Sequence, residues 1–317
     1  MAKTTVSTGI ELDSQSIRAA RITGRAGKTG LPVISALDEI KGPFVKDEEI
    51  IEGLRTLKRR TGISSSDRLV ACVGGKQVYA AQLNFRKLPD EEMKNALRLE
   101  LRKNLPFDTA SATIEYQFMA QVRKKGDFVP VLVTAVATAM LDRNLWLFEK
   151  AGIPPAIVDV FPLTVANSFL LGKNGRDTSE TPRNLIHIGA EFSTLVIDGP
   201  AGVPFFTRTL YFSAAELYGT DNSTETAPQN LEQKIAAFTD EISRSLTYYQ
   251  NTFRCRTDTL ITALGGHAVP SLLERIADNT GCTVTRLDLA GELDAADTPS
   301  AGKFDIAITL GIRGMDR

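Results

Sequence analysis

The amino-acid sequence predicts an α/β protein of two domains, with a small α+β subdomain inserted in the first. Three observations predict it. The chain opens with two strands joined by a tight polar turn, in "STGIELDSQSIRAARI" (Ser7 to Ile22), and continues through further strand and helix periods. A block of different character, a helix and then a hairpin, follows between about Gly75 and Gly152. After the polar, Gly-bearing stretch "GKNGRDTSETPRN" (Gly172 to Asn184), a second set of strands and helices begins. The expected division is 1–165 for the first domain, with the inserted subdomain at 75–152, and 166–317 for the second. A chain of 317 residues is long enough for two cores.

Each element follows from its local pattern. "LPVISALDEIKG" adds a third strand to the opening hairpin, making a meander. In "DEEIIEGLRTLKRRTG", Ile50, Ile51, Leu54 and Leu57 recur at helical spacing, and Gly62 supplies a stop. "DRLVACVGG" returns to strand, and Gly74-Gly75 reads as a turn into the inserted block. "KQVYAAQLNFRKLP" is a strand. "PDEEMKNALRLELRKNLPF" is a helix with Pro89 at its start, acids in its first turn and Met93, Leu97 and Leu101 as its apolar stripe. "ATIEYQFMAQV" and "FVPVLVTAVA" flank "RKKGD" as a hairpin, and "TAMLDRNLWLFEKAG" is a helix ending at Gly152. "IVDVFPLTVANSFLL" reads as a helix that Pro162 starts or interrupts.

In the second half, "NLIHIGAEFSTLVIDGPAGVPFFTRTLYF" reads as strands and turns. The region from Gly219 to Asn230 is polar and is expected to lack order. "LEQKIAAFTDEISRSLTYYQ" is a long helix with Leu231, Ile235, Phe238, Ile242, Leu246 and Tyr249 on one side. "TLITALGGHAVPSLLERIADNTG" reads as strand, glycine turn, helix, and "LAGELDAADTPSAG" as a loop before the terminal "KFDIAITLGIRG".

Composition removes several classes of function. The 37 Lys plus Arg balance 38 Asp plus Glu, so no long-range field gathers nucleic acid or anionic lipid. The basic clusters "TLKRRTG" and "VRKKGD" read as solvated turns and helix ends. Cys72, Cys255 and Cys282 are far apart and odd in number, which argues against a disulfide framework or a zinc knuckle. With only His187 and His267, histidine-rich metal chemistry is nearly excluded. No stretch resembles a signal peptide or a membrane span, so the expected location is the cytosol, with any membrane role reached through a partner.

One internal repeat bears on function. "TGIELDSQSI" overlays "LIHIGAEFST", placing Gly9 to Asp13 on Leu185 to Gly189. Two such hairpins, one in each half, would face each other across a cleft. A phosphate-binding hairpin turns successive backbone N–H groups toward the anion. One nearby acid is useful for holding Mg²⁺. A second acid in the turn adds unscreened repulsion beside a polyanion. Glu11 and Asp13 put two carboxylates there. Read without reference to a ligand, Asp13-Ser14 is a β-turn whose aspartate bonds its own backbone, and His187 is a half-buried strand residue.

The order of these pieces resembles the actin-like ATPase superfamily, and within it the PilM-like type IV pilus assembly proteins. The resemblance covers nearly the whole chain. It is carried by "GIELDSQSIRAARI", "LRLELRKNLPFD", "LIHIGAEFSTLVI" and "LITALGGHAVPSLLERI", followed by "FDIAITLGIRG". It implies an actin-like, ribonuclease H-like fold. Where relatives carry Asp, a spacer and Gly in the first hairpin, this chain has Glu11, Leu12 and Asp13; the basic residue further on, often Lys, is Arg18. The usual Asp of the second hairpin is His187, and Gly189 is kept. Imidazole is a poor ligand for Mg²⁺. Ser14 and Ser16 remain as phosphate donors, and Gly265-Gly266 keeps the adenosine-side turn. The resemblance therefore implies a degenerate nucleotide site, with no cofactor, no metal and no catalytic residue.

It also implies a cytoplasmic scaffold of a type IV pilus or related secretion platform, peripheral to the inner membrane and binding the cytoplasmic tail of a PilN-like membrane protein. Other platform and motor components are implied partners. A groove beside the inserted subdomain would take the tail, with Arg98, Arg102, Lys103, Asn104, Phe107 and Tyr116 as candidate contacts. The same "ELRKNLPF" segment also reads as an ordinary helix C-terminus with compensating charge. The alternative is a nucleotide-switched ATPase of the same machinery using ATP and Mg²⁺, with Glu11 on the metal-bound water and Asp13 turned away. A sugar-kinase-like enzyme and a filament-forming protein are the other readings of such a fold. The sequence carries no catalytic Asp in a sugar-binding context, and no nucleophile elbow joins Ser193, Asp198 and a histidine into a triad.

Overall fold

The computed structural model describes residues 4–25, 32–119, 128–171, 181–199, 203–210, 212, 214, 228–293 and 302–315, and the account below concerns these. Three sheets organise the chain. The first holds β1 (Thr4–Leu12), β2 (Ser16–Arg25), β3 (Val33–Lys41), β4 (Arg68–Val73) and β8 (Ile157–Val160), in the order β3-β2-β1-β4-β8. The inserted sheet holds β5 (Val78–Arg86), β6 (Ala112–Phe118) and β7 (Phe128–Ala137), in the order β5-β7-β6. The last holds β9 (Arg183–Ile188), β10 (Ser193–Asp198), β11 (Phe206–Leu210), β12 (Leu260–Leu264) and β13 (Thr283–Arg286), in the order β11-β10-β9-β12-β13.

The two five-stranded sheets repeat one topology. Each starts as an antiparallel meander, and the first strand of each then takes a parallel neighbour, β4 beside β1 and β12 beside β9. The repeat extends to register. Glu11 pairs with Arg18 one step back from the first turn, and His187 pairs with Thr194 one step back from the second. The overlay of Glu11 on His187 read from the sequence is therefore a structural equivalence.

Helices fill the layers as their stripes dictate. In α1 (Asp47–Thr61), Ile50, Ile51, Leu54 and Leu57 are buried, and Glu49 accepts from the N–H groups of Val45 and Lys46 at the helix start. Gly62 ends the helix at φ 68°. In α2 (Asp90–Leu101), Met93, Leu97 and Leu101 pack on Ile114, Val131 and Val133 of the inserted sheet. Helix α3 (Thr138–Lys150) lies in the stretch read as the inserted block, and its Leu147 and Phe148 pack with Leu54 and Leu57 of α1. Helix α4 (Phe161–Leu171) runs across residue 165. The long α5 (Pro228–Phe253) lays Ile235, Phe238, Ile242, Leu246 and Tyr249 on the second five-stranded sheet, beside Leu272 and Ile276 of α6 (Pro270–Thr280). Among the described residues no helix is long and apolar enough to cross a membrane.

Three local expectations change. Ile157–Val160, the opening of the stretch read as a helix that Pro162 starts or interrupts, is strand β8, paired in parallel with β4 from Val70 to Val73, and the helix begins at Phe161. Three of the four strand residues are β-branched, and Pro162 sits in the first turn of α4, where a missing N–H costs nothing. The polar stretch ending at Asn184 runs two residues into β9; its part at 172–180 lies outside the described residues, as does 219–227. The segment read as a loop opens with a short helix, α7 (Leu289–Glu292), capped by the Asp288 side chain.

The terminal segment is helix α8 (Asp305–Arg313), and it returns to the first sheet. A Cβ at Gly9 would stand 2.1 Å from the Ala307 carbonyl oxygen and 2.3 Å from the Gly311 nitrogen, so strand and helix backbones touch there. Helix α8 also meets α4, through a 2.7 Å hydrogen bond between Ser168 and Thr309. The core around these two helices includes Ala20 and Val70 of one sheet and Leu185 and Val196 of the other. Gly9→Ala must push backbone apart, whereas a Cβ at Gly62 meets open space and is opposed only by its positive φ. Urea unfolding is expected to show a loss of about 3 kcal/mol or more for Gly9→Ala and about 1 kcal/mol for Gly62→Ala. Equal losses would mean that the close approach is not limiting.

Candidate functional site

The turn between β1 and β2 is Asp13-Ser14-Gln15. Asp13 Oδ1 accepts from the backbone N–H groups of Gln15 and Ser16, both at 2.7 Å. The Ser16 hydroxyl donates to Asp13 Oδ2 at 3.2 Å. An aspartate at the head of a turn makes this bond readily. The consequence here is specific: the N–H groups that an anion would need already serve a carboxylate of the chain. The Ser14 N–H points the other way, across the cleft, and donates to Glu191 Oε1 at 2.6 Å. Glu191 belongs to the turn between β9 and β10, so the two turns are joined directly.

Behind the first turn lies a charge network. Arg18 Nη1 stands 3.4 Å from Glu11 Oε2 and 3.5 Å from Asp13 Oδ2, and Arg18 Nε donates to Glu39 Oε1 at 2.9 Å. Lys303 Nζ donates to Glu39 Oε2 at 3.0 Å, bringing in the segment before α8. Glu11 is 5% exposed. Burial pushes its carboxyl up to about 7, against the pull of Arg18. Burial also raises Asp13. For Glu39, burial is outweighed by the bonds from Lys303 and Arg18, and its carboxyl is held below the usual range.

On the second hairpin, His187 is buried edge-on against Phe161, with ring centroids 4.7 Å apart. Burial, then Arg18 and His267, lowers its imidazole to about 3, so the ring is neutral. Its Nδ1 finds no partner among the described residues. The glycine turn closes on this ring. Gly265, at φ 93°, would place a Cβ 2.7 Å from the Ile188 carbonyl oxygen and 2.9 Å from His187 Nε2. A Cβ at Gly189 would stand 2.5 Å from the Phe192 carbonyl oxygen, and one at Gly266 would stand 2.8 Å from Lys303 Cβ. Lys303 thus lies over the second glycine.

The structure brings Glu11, Asp13, Ser14, Arg18, His187, Gly189, Gly265 and Gly266 into one region. His187 is fully rather than half buried, because strands flank it on both sides and Phe161 covers its edge. Glu241 pairs with Arg208, and Arg244 with Asp240. Sequence reading missed Glu191, Glu39 and Lys303. Glu191 had a signal, an acid inside the turn that overlays the first turn. Glu39 and Lys303 are 264 residues apart and had none.

The six candidate partner contacts lie elsewhere, on the inserted subdomain. Arg102, Lys103 and Asn104 are exposed in the turns after α2, where Asn104 N–H donates to the Leu101 carbonyl. Arg98 is half-buried on α2, and its Nε finds no partner among the described residues. Phe107 and Tyr116 pack half-buried against the inserted core, Tyr116 edge-on to Phe118 at 5.6 Å.

The pKa directions make a stability test with an explicit sign. Folded Glu11 binds its proton more tightly than an ordinary glutamate, so its contribution to stability is lost as pH rises from 4.5 through about 7. His187 acts oppositely: its folded value of about 3 lies below 6.5, so stability rises with pH across that interval. The two slopes oppose each other between 4.5 and 6.5. Glu11→Gln removes the first, so its stability relative to the parent protein is expected to grow by about 3 kcal/mol as pH rises through the Glu11 window. Denaturant titrations across that pH series check it, and a constant difference would contradict it.

A search of curated protein sequences finds no match. Among solved structures, one described as the PilM-PilN type IV pilus biogenesis complex is similar over 98% of this chain and 99% of that one, at 18% identity and TM-score 0.81. The ethanolamine utilization protein EutJ from Carboxydothermus hydrogenoformans is similar over 97% of this chain and 89% of its own, at 11% identity and TM-score 0.52. A Bacteroides thetaiotaomicron protein with an actin-like ATPase fold and unknown function is similar over 96% and 95%, at 10% identity and TM-score 0.50. These likenesses show the fold: an α/β two-domain actin-like fold of mixed sheets and flanking helices. The family described as type IV pilus assembly protein PilM matches residues 9–306, and with nearly its whole length matched the chain belongs to that family.

Proposed function

We propose that this chain is a non-hydrolysing scaffold of a type IV pilus inner-membrane platform, held at the membrane by the cytoplasmic tail of a PilN-like protein. Membership of the PilM family and the likeness to the PilM-PilN complex support the partner. The observation that carries the non-hydrolysing reading is the commitment of the first turn. The N–H groups of Gln15 and Ser16 serve Asp13, and that of Ser14 serves Glu191. A triphosphate entering here would lose those donors and meet the carboxylates of Glu11, Asp13 and Glu191. Arg18 engages both Glu11 and Asp13, and Lys303 covers Gly266 on the adenosine side. The residues present do not fit a Mg²⁺-bound nucleotide, and phosphoryl transfer depends on such positioning.

The tail is assigned to a groove between the inserted subdomain and the body, with Arg102, Lys103 and Asn104 at its edge, within the division of 1–165, 75–152 and 166–317 set out above. An extended peptide would gain affinity from main-chain bonds and specificity from side-chain pockets. The test is a titration of the full chain with a synthetic peptide of the PilN-like tail, and separately with ATP and millimolar Mg²⁺. The peptide is expected to bind, and the double variant Arg102→Glu/Lys103→Glu to weaken it about tenfold or more, since each change reverses a charge. ATP is expected to give no saturable binding and no phosphate release. Micromolar ATP affinity with steady turnover would overturn the non-hydrolysing reading, and absence of peptide binding would overturn the partner.

A further inference from the structure

The cleft encloses a cavity of about 240 Å³ between the two turns. That volume holds several waters but is smaller than the roughly 300–1,000 Å³ of sites for drug-sized ligands. Its wall includes Phe44, Phe161 and Phe192, with Phe161 and Phe192 edge-on at 5.3 Å. Phe192 is held in place by the opposite half, since a Cβ at Gly74 would stand 2.6 Å from its ring. Three carboxylates also line the cavity: Glu11, Asp13 and Glu191. One cation, Arg143, lines it too, and its guanidinium is engaged by Asp47. Arg18, behind Glu11 and Asp13, offsets part of the remaining negative charge. The hydrogen bonds formed by Glu11 and Glu191 use Oε2 of the first and Oε1 of the second.

An independent feature points to a ligand. His187 lines the same cavity, is 5% exposed, and carries Nδ1 without a partner among the described residues. A bare, buried nitrogen costs free energy until something meets it. An anion would face three carboxylates. A neutral apolar group would leave both the nitrogen and the charge unmatched. A metal ion has no cluster of three His, Cys, Asp or Glu ligands among the described residues. A cation on an alkyl stem answers all of these features, with its charge among carboxylates and aromatic faces and a proton directed at Nδ1.

We propose that this cavity binds the primary ammonium group of a short alkyl chain, seated among Glu11, Glu191 and His187 Nδ1 with its methylenes against Phe161 and Phe192. The ammonium can come from a free small amine or from a lysine side chain of a peptide. The proposal rests on the reading that the cleft does not take Mg²⁺-bound nucleotide.

The test uses the full chain, isotopically labelled for amide NMR, and titrates n-butylammonium, n-butanol and butyrate in parallel. Butylammonium is expected to give saturable shifts at Gly189, Glu191 and Phe192, at least about tenfold tighter than n-butanol, the margin that a charge-assisted contact supplies. Glu191→Gln keeps the acceptor for Ser14 but removes the charge, and is expected to weaken butylammonium about fivefold. Glu11→Gln is the second variant, and the spectrum of each reports whether it is folded. A capped peptide with one lysine separates the sources: binding matched to butylammonium assigns a protein side chain, and binding of the free amine alone assigns a small amine. Equal binding of all three probes, no saturable shift, or affinity unchanged in both variants would overturn the proposal. An ATP and Mg²⁺ arm keeps the two readings apart. Displacement of the amine by nucleotide with phosphate release would refute the non-hydrolysing scaffold. Displacement without release would refute the reading that the cleft excludes Mg²⁺-bound nucleotide, on which this site rests. Failure of the amine with no nucleotide binding would refute this site alone.

Discussion

The hydrogen bond from the Ser14 N–H to the Glu191 carboxylate fixes the distance between the two hairpin turns, and the rest of the cleft follows from it. A charge-assisted bond of this kind is worth about 1.5–3 kcal/mol when sheltered and less at an exposed position such as this one. Its importance is geometric. It uses the N–H that would otherwise face into the cleft, and it brings a carboxylate with it. With Glu191 at 2.6 Å, the first turn meets a negative group from the opposite half instead of an open anion nest. The bond between Lys303 and Glu39 makes a second connection, beside Gly266. The cleft is thus crossed by Ser14–Glu191 and flanked by Lys303–Glu39, two bonds between segments far apart in the chain.

Charge burial explains why the network takes this form. Glu11 is almost fully buried on β1, and a buried carboxylate is tolerated when paired or protonated. Arg18 gives it a partner at 3.4 Å, but the same guanidinium also meets Asp13 and Glu39. Burial raises the Glu11 carboxyl to about 7, and one cation spread over three acids offsets only part of that rise. Lys303 relieves Glu39 in turn. Across the cleft a second carboxylate at the equivalent register would have faced the same shortage. The chain has a neutral imidazole there. His187 needs no counter-ion, and its ring packs on Phe161 as an apolar residue would.

Much of this was legible in the sequence, and the reasons divide cleanly. The stripes of α1, α2 and α5 were readable because burial on one face of a helix writes a 3.6-residue period into the chain. The overlay of Glu11 on His187 was readable because both sit one pair from a hairpin turn, a place fixed by local register. Strand β8 was missed because four residues are too short to show a period against the apolar run of α4 that follows. The return of α8 to β1 left only glycines as a trace, and a glycine does not name the backbone it lets in. Lys303 was invisible for a related reason. A lysine reads as solvated surface until the fold brings Glu39 to it.

The glycines of the cleft show why a glycine pattern does not by itself name a ligand. Gly189, Gly265 and Gly266 are the glycines that the sequence reading set against the phosphate and adenosine turns of actin-like proteins. In this chain each has a different reason to lack a side chain. Gly265 needs a left-handed φ and lies against the Ile188 carbonyl and the His187 ring. Gly189 lies against the Phe192 carbonyl, and Gly266 against Lys303. Steric pressure from the protein's own atoms excludes a Cβ at these positions as firmly as a nucleotide would. Glycine at the turns is therefore compatible with a liganded cleft and a self-filled one alike. The discriminating residues are those that supply or consume hydrogen-bond donors, Asp13 and Glu191 above all, and here both consume them.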